Sequence, residues 1–479
     1  MRFNSLIYLA FLAVVVLVFW AVRPSIRKWW LLGVSWLFYA SWHWPFLGLL
    51  VGIGTLNHFG AIWIRKHKDR HIPGAVIIAA NVLVLGLFKY ADWLLANTNS
   101  VLHLLGVGTE IPLLRWILPL GLSFYVFEGI SYTVDVVRKR EEPKEFWDFQ
   151  LYMAYFPHLV AGPIMRAKEL IPQFGCRRIL EPAMIRDGLW KLGTGLFVKI
   201  VLADGLAPQV DAAFARQANS LGSLDVWLMA VGFGLQIYLD FSSYSRIAIG
   251  SSKLCGLELV ENFDFPYGAR NPVEFWAKWH MSLSRWIRDY LFYPLVGKKA
   301  TLGALVRAAI VSMVLCGIWH GAGWTFVLWG GYHGLLIAAY HLIAGWRKRR
   351  GGAARVGESV LGGVLATLGT FSVVSLGWLL FRSTNLGQAV ALIGRAMSPW
   401  AHPERALPGT LYLFVGCTLA LVWLAPGLQR MARSAWQRAE ATPRGVLAWH
   451  IGAGAVLGLS AVFGLMYLRG QTSFIYFQF

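Results

Sequence analysis

Apolar residues in this chain gather into long runs separated by short polar connections. Runs at residues 5–22, 75–95, 226–239, 306–319, 360–381, 411–426 and 446–468 are long enough to cross, or largely cross, a hydrocarbon core of about 30 Å as helices. Counting runs that Gly and Pro interrupt, the pattern predicts an all-α polytopic membrane protein with roughly ten to thirteen spans. The first run is flanked by Met1-Arg2 and Arg23-Pro24 without a small-residue cleavage site, which predicts a retained span and not a removed signal peptide. No repeat of fixed period and no likeness between the two halves is visible, which disfavours transporters built from duplicated halves. The longest polar connections, near 138–145, 166–187 and 253–288, separate groups of spans, so residues 1–479 are expected to form a single integral-membrane domain.

The third connection is itself patterned. From Glu274, "EFWAKWHMSLSRWIRDYLFYPL" places Phe275, Trp276, Trp279, Leu283, Trp286, Ile287, Tyr290 and Leu291 within one arc at about 100° per residue, with Glu274, Lys278, Arg285, Arg288 and Asp289 opposite. This predicts one amphipathic helix lying at the membrane interface or turning its wet face into a cytoplasmic funnel. His280 falls at the margin of the apolar arc, which suits either a structural imidazole bonded to a backbone carbonyl or a functional one. Just upstream, "GLQIYLDFSSYSRIAIG" puts Gln236, Asp240, Ser243 and Tyr244 on one helix face. Polar groups inside a membrane segment line a substrate cavity or close an internal hydrogen-bonded network, and the pattern is compatible with both.

Residues 317–334, "GIWHGAGWTFVLWGGYHG", bring two histidines into an otherwise apolar, glycine- and tryptophan-rich stretch. In one continuous helix His320 and His333 would stand about 20 Å apart along the axis and could not meet at one reacting atom. His320 lies between Trp319 and Gly321, with Gly317 and Gly323 nearby, a setting in which glycine admits close approach of another backbone. Burial favours a neutral imidazole, which can accept a proton from an alcohol; a packed, hydrogen-bonded His320 fits the same residues. His333 is expected to be a supporting residue. HExxH, paired-carboxylate and GxSxG arrangements are absent, which removes the sequence support for metalloprotease, glycosidase and serine-hydrolase chemistry.

Composition agrees with the pattern: 57% of residues are hydrophobic and 14% charged, more apolar than one soluble core could hide. The formal net charge of +20 concentrates at 65–70, 138–140, 347–350 with Arg355, and 430–444. Short loops dense in Lys and Arg stay on the cytoplasmic side against anionic lipid headgroups, so membrane lipids, not nucleic acid, are the expected partner of this charge. Attraction of a phosphorylated donor to the same rim is a second reading of it. Cys176, Cys255, Cys316 and Cys417 have neither CxxC nor metal-like spacing, so no disulfide framework, zinc site or other metal site is expected.

Several further segments are distinctive: "LGLFKYADW" at 85–93, "LPLGLSFYVFEGISYTVDVVR" at 118–138, "FPHLVAGPIMR" at 156–166, "GLFVKIVLAD" at 195–204, "ENFDFPY" at 261–267 and the terminal "FIYFQF". Taken in order with the three stretches above, they resemble the membrane-bound O-acyltransferase (MBOAT) family over most of the chain. The likeness is greatest to its bacterial branch, which includes the alginate O-acetylation membrane protein and the D-alanyl transfer protein of teichoic acid synthesis.

That resemblance implies a helical bundle with interfacial helices around a central tunnel, in the bacterial inner membrane. It implies that His320 is the principal catalytic histidine and His280 a second histidine near the tunnel, where a cytoplasmic funnel meets an outward-facing cavity. Trp319, Trp279 and Tyr238 would bind substrate as tunnel-lining residues, with packing of the core as the alternative for each, and Asp240 and Ser243 are expected to bind substrate as well. No bound cofactor is implied. The expected activity is transfer of an acetyl group from a thioester such as acetyl-CoA toward an exported polysaccharide, directly or through a periplasmic acetyltransferase partner and the polysaccharide synthesis and export machinery. The chain departs from the family pattern at two places: Ala277-Lys278 replaces a common Arg-Arg pair, and Arg246 stands where alginate-type relatives commonly have an aspartate, a reversal of charge beside the expected cavity that bears on the acceptor and on partner binding. A transporter or flippase, and a noncatalytic scaffold of an export complex, are the rival classes that the same buried polar groups leave open.

Overall fold

The computed structural model describes residues 3–439 apart from 161, 177, 351–358 and 405, together with 442, 452, 454 and 458. The described residues form helices and turns without a strand. Among the described residues seven helices are long and apolar enough to cross a membrane: Pro45–Lys66, His71–Lys89, Ser223–Leu254, Leu302–His320, Trp324–Arg349, Val360–Arg382 and Gly409–Ala439. The helix Leu6–Ala21 is equally apolar but shorter, and Pro24–His43 is long but more polar. The predicted run at 446–468 and the terminal FIYFQF lie outside the described residues, apart from Gly452, Gly454 and Gly458.

The helix boundaries follow local chemistry. Ser5 caps Leu6–Ala21 through its hydroxyl, which accepts from the Tyr8 N–H, and Ser359 caps Val360–Arg382 by accepting from Gly362. The predicted run 75–95 is divided at Tyr90 into His71–Lys89 and Ala91–Leu104. Beyond the break, the Asp92 carboxylate accepts the backbone N–H groups of Leu114 and Arg115, which fastens the second helix to its following loop.

The chain divides into two compact units. The first comprises Met1–Leu189, Ile247–Val260 and Gly321–Gly323. Its interior is tied by hydrogen bonds between side chains: Asn57 and Asn81 exchange amide bonds of 3.1 Å, and the Thr133 hydroxyl donates to the same Asn57 oxygen. These three fully buried residues join Pro45–Lys66, His71–Lys89 and Leu122–Val137, as polar groups do between helices in lipid. In the same unit His158 Nδ1 lies 3.0 Å from the buried Glu128 carboxylate, and its Nε2 donates to the Tyr152 carbonyl.

The second unit, Trp190–Arg246, Glu261–His320 and Trp324 onward, holds every site residue predicted from sequence. Its centre is the antiparallel pair Leu302–His320 and Trp324–Arg349, with Val360–Arg382 packed on the second of them. A Cβ added to Gly317 would sit 2.2 Å from the Phe326 carbonyl oxygen, and one on Gly330 2.2 Å from that of Met313. Only glycine at both positions lets these backbones lie so close.

Candidate active site

Helix Leu302–His320 stops at His320 and the chain turns before Trp324, so the stretch 317–334 is a hairpin and not one helix. The separation of about 20 Å expected for an unbroken helix is therefore corrected. The His320 ring stands edge-on to Trp329 at 5.1 Å, and His333 contacts the same indole at 4.9 Å. His320 is 3% exposed and is further enclosed by Trp319 and Phe381. His333 is completely buried within a cage of Phe275, Trp276, Trp329 and Tyr332, and neither ring nitrogen has a hydrogen-bond partner among the described residues.

The amphipathic helix predicted from Glu274 is also corrected. It is broken into Pro272–Lys278 and Met281–Ile287, followed by a wider π turn at Arg288–Phe292 and the short Tyr293–Val296. Competing hydrogen bonds explain the break. The Lys278 carbonyl, which a continuous helix would offer to Ser282, accepts instead from the Asp264 N–H at 3.0 Å. The Met281 N–H donates to the Asn262 carbonyl at 2.8 Å, and the Ser282 N–H to the Asn262 side-chain oxygen at 3.3 Å. His280 sits at the break in the left-handed region, with φ 41°. The break swings its ring into the interior: His280 is fully buried, 4.5 Å edge-on to Phe241 and 6.4 Å from Trp319. Burial pushes its pKa down to about 3, so the ring is neutral.

Trp319 links the two candidate catalytic histidines, lying 4.8 Å from His320 and 6.4 Å from His280. Trp279 and Tyr238 pack against each other at 6.1 Å, and Trp279 continues through Trp378 to Trp329, the indole on which His320 rests. Five of the seven predicted site residues thus belong to one connected aromatic shell. Asp240 and Ser243 are occupied otherwise. The Ser243 hydroxyl donates to the Asp240 backbone carbonyl at 2.7 Å, and the Asp240 carboxylate faces Lys199 at 2.6 Å.

Lys199 was not singled out from sequence. It is fully buried, 2.6 Å from both Asp240 and Asp204, with the Tyr244 ring 5.3 Å from its ammonium group. Burial alone would lower its pKa, yet Asp240 and Asp204 together hold it above the usual lysine value. The signal was available: Lys199 is the lone cation of "GLFVKIVLAD", and a charge within an apolar segment marks a buried partner. Asn262 was missed as well, and nothing in "ENFDFPY" distinguishes a site residue from a turn residue. Among the described residues no group of three or more His, Cys, Asp or Glu side chains could hold a metal ion.

The shell therefore offers two buried imidazoles, one of them neutral by burial and tied to Asn262, within an apolar wall that excludes water. Such a site can move a proton from a hydroxyl while an acyl group is transferred. Comparison with known proteins points the same way. The profile of the membrane-bound O-acyltransferase family (MBOAT) matches residues 112–351. A Pseudomonas putida protein named as a probable alginate O-acetylase, AlgI, is 33% identical across 100% of both chains. The Helicobacter pylori peptidoglycan O-acetyltransferase is 33% identical over 80% of this chain and 76% of its own length. The Bacillus subtilis teichoic acid D-alanyltransferase is 26% identical over 48% of this chain and 60% of its own.

Proposed function

Because the chain belongs to the membrane-bound O-acyltransferase family and is a multi-pass O-acyltransferase, we propose that it carries an acetyl group from a cytoplasmic thioester, acetyl-CoA, across the bacterial inner membrane to hydroxyls of an exported polysaccharide. The observation that carries this reading is the meeting of His320 and His280 at Trp319 inside one buried shell. The relatives' acceptors named above, alginate, peptidoglycan and teichoic acid, are all polymers with hydroxyl groups, which supports the acceptor class.

In this mechanism the acceptor oxygen attacks the thioester carbonyl carbon, and the new C–O bond forms as the C–S bond breaks. His320 takes the hydroxyl proton and returns it to the departing sulfur, so an alcohol and a thioester become an ester and a free thiol. His280 contacts the donor carbonyl or the acceptor. Trp319, Trp279 and Tyr238 wall the path. Helix polarity supports the two-sided arrangement. Lys298 and Lys299 precede Leu302–His320, and Arg347, Lys348 and Arg349 end Trp324–Arg349, so the basic, cytoplasm-seeking ends of the hairpin coincide. His320 lies at the opposite end, roughly 27 Å along the axis, where an acceptor arriving from outside meets it. A periplasmic acetyltransferase partner and the export machinery would take the group onward.

The test is purified protein in liposomes with labelled acetyl-CoA and a hydroxyl acceptor, read by free thiol and ester formation. His320→Ala should lower transfer about 10²- to 10⁴-fold, the range for loss of a general base. Movement of intact substrate without thiol release would identify a flippase instead. Full activity in His320→Ala would remove His320 from the chemistry.

A further inference from the structure

We infer that Asn262 is a positioning residue that holds His280 with its proton on Nδ1, leaving Nε2 as a bare acceptor for a hydrogen-bond donor of the substrate. That donor is a hydroxyl of the acceptor or an amide N–H of the thioester's pantetheine arm. The inference rests on the acyl-transfer reading and decides a choice which that reading leaves open: an acceptor-only nitrogen cannot donate to the thioester carbonyl.

The assignment follows from which atoms can donate. A backbone N–H only donates, and that of Ser282 lies 3.3 Å from one end of the Asn262 side chain, so that end is the oxygen. The other end, the amide nitrogen, donates to the Ser245 hydroxyl at 3.1 Å. An amide oxygen only accepts, so His280 Nδ1, 3.1 Å from it, carries the proton. A neutral imidazole has one N–H, and the lone pair therefore sits on Nε2. That atom is buried in a residue with no exposed surface and finds no hydrogen-bond partner among the described residues.

A bare acceptor at this depth is costly to keep. It also occurs where the chemistry is proposed, on the ring that shares Trp319 with His320. The same asparagine fixes the backbone: its carbonyl accepts from Met281, the residue after the left-handed turn at His280. One residue thus sets both the direction and the tautomer of the imidazole, as the partners of catalytic histidines commonly do.

Two measurements test this on the full-length protein. Nitrogen NMR of histidine-labelled wild type, assigned with His280→Gln, should show a protonated Nδ1 and an unprotonated Nε2 on His280; the opposite tautomer overturns the inference, whatever the enzyme's activity. Steady-state transfer is the second. Asn262→Leu should lower kcat/KM about 10- to 100-fold. Asn262→Asp should keep most activity but shift the acid limb of the pH profile upward, because a carboxylate stabilises the imidazolium and a protonated ring cannot accept. The aromatic rings against this imidazole, Phe241, Phe263 and Trp319, and its hydrogen-bond partner Asn262 do not titrate in that range. A rise in KM for acetyl-CoA assigns the contact to the pantetheine amide, and a fall in kcat/KM for the acceptor alone assigns it to the hydroxyl. A profile for Asn262→Asp superimposable on wild type overturns the positioning role. A fully active His320→Ala would sink the acyl-transfer assignment of His320 while leaving the tautomer result intact.

Discussion

Lys199 gives the sharpest test of how the second unit is held together. Lys199→Met removes the cation that bridges Asp204 and Asp240, each 2.6 Å from its ammonium group and each less than a tenth exposed. Removing one partner of a buried ion pair costs about 3–5 kcal/mol, and here one substitution takes the ammonium group away from two carboxylates at once. Protonation of one or both limits the loss to the lower end of that range, about 3 kcal/mol, and a fall of about 3–5 °C in melting temperature is expected. Asp204→Asn keeps the Lys199–Asp240 pair and should cost less. The neutral triple variant Lys199→Met/Asp204→Asn/Asp240→Asn should recover most of the deficit, since a buried ion cluster replaced as a whole is often neutral to stability. The assay is thermal unfolding of detergent-purified protein followed by tryptophan fluorescence. Coincident melts for Lys199→Met and wild type, or a triple variant no better than the single, would refute the reasoning. The sign of the pH dependence is a further check. Lys199 is held above its ordinary value of 10.5, so its contribution is complete below that pH and is lost only as pH rises through the raised folded value; melts between about pH 6 and 9 should carry no Lys199 signature.

Other outcomes follow from the same geometry. Gly317→Leu should separate the hairpin helices and abolish both folding yield and transfer, whereas Gly331→Ala, whose new Cβ meets only Val314 at 3.9 Å, should behave as wild type in expression and activity. His280 is held near pKa 3 against an ordinary 6.5, so between those values the unfolded chain binds a proton that the folded one refuses. His280 should therefore contribute a fall in stability of about 1.4 kcal/mol per unit as pH drops below 6.5, and the slope for His280→Gln should be shallower by that amount. His333→Phe replaces a caged imidazole without hydrogen-bond partners by a ring of similar shape, so transfer should persist and the melting temperature hold or rise. Loss of transfer in that variant would end its supporting role.

The apolar runs foretold the spans because lipid leaves a helix little choice but to be apolar along its length, and six of the seven runs coincide with helices among the described residues. Local periodicity failed at His280. The residues from Glu274 have a continuous amphipathic pattern, but the break is imposed by Asn262 and Asp264, which lie before that helix and capture its hydrogen-bonding groups. It failed again at 317–334, where the question of whether Gly321–Gly323 forms a turn or a helical step depends on the close contact at Gly317 and Gly330 that only the folded hairpin reveals. Lys199 was legible in principle. Asp240 drew attention as a polar residue on a helix face, and the cation that answers it lay in a segment valued only for its likeness to the family.

The features that break local rules in the second unit fall close together, and that clustering argues for function more strongly than any one of them. His280 is a non-glycine residue in the left-handed region, its Nε2 is a buried acceptor with no partner among the described residues, and Lys199 is a buried cation paired with two buried aspartates. The first two lower stability, and a sequence selected for packing alone would discard them. By contrast, the buried Asn57, Asn81 and Thr133 of the first unit satisfy one another, as a structural network should. The bare Nε2 of His280 departs from that pattern, as the proposed contact with a substrate donor requires.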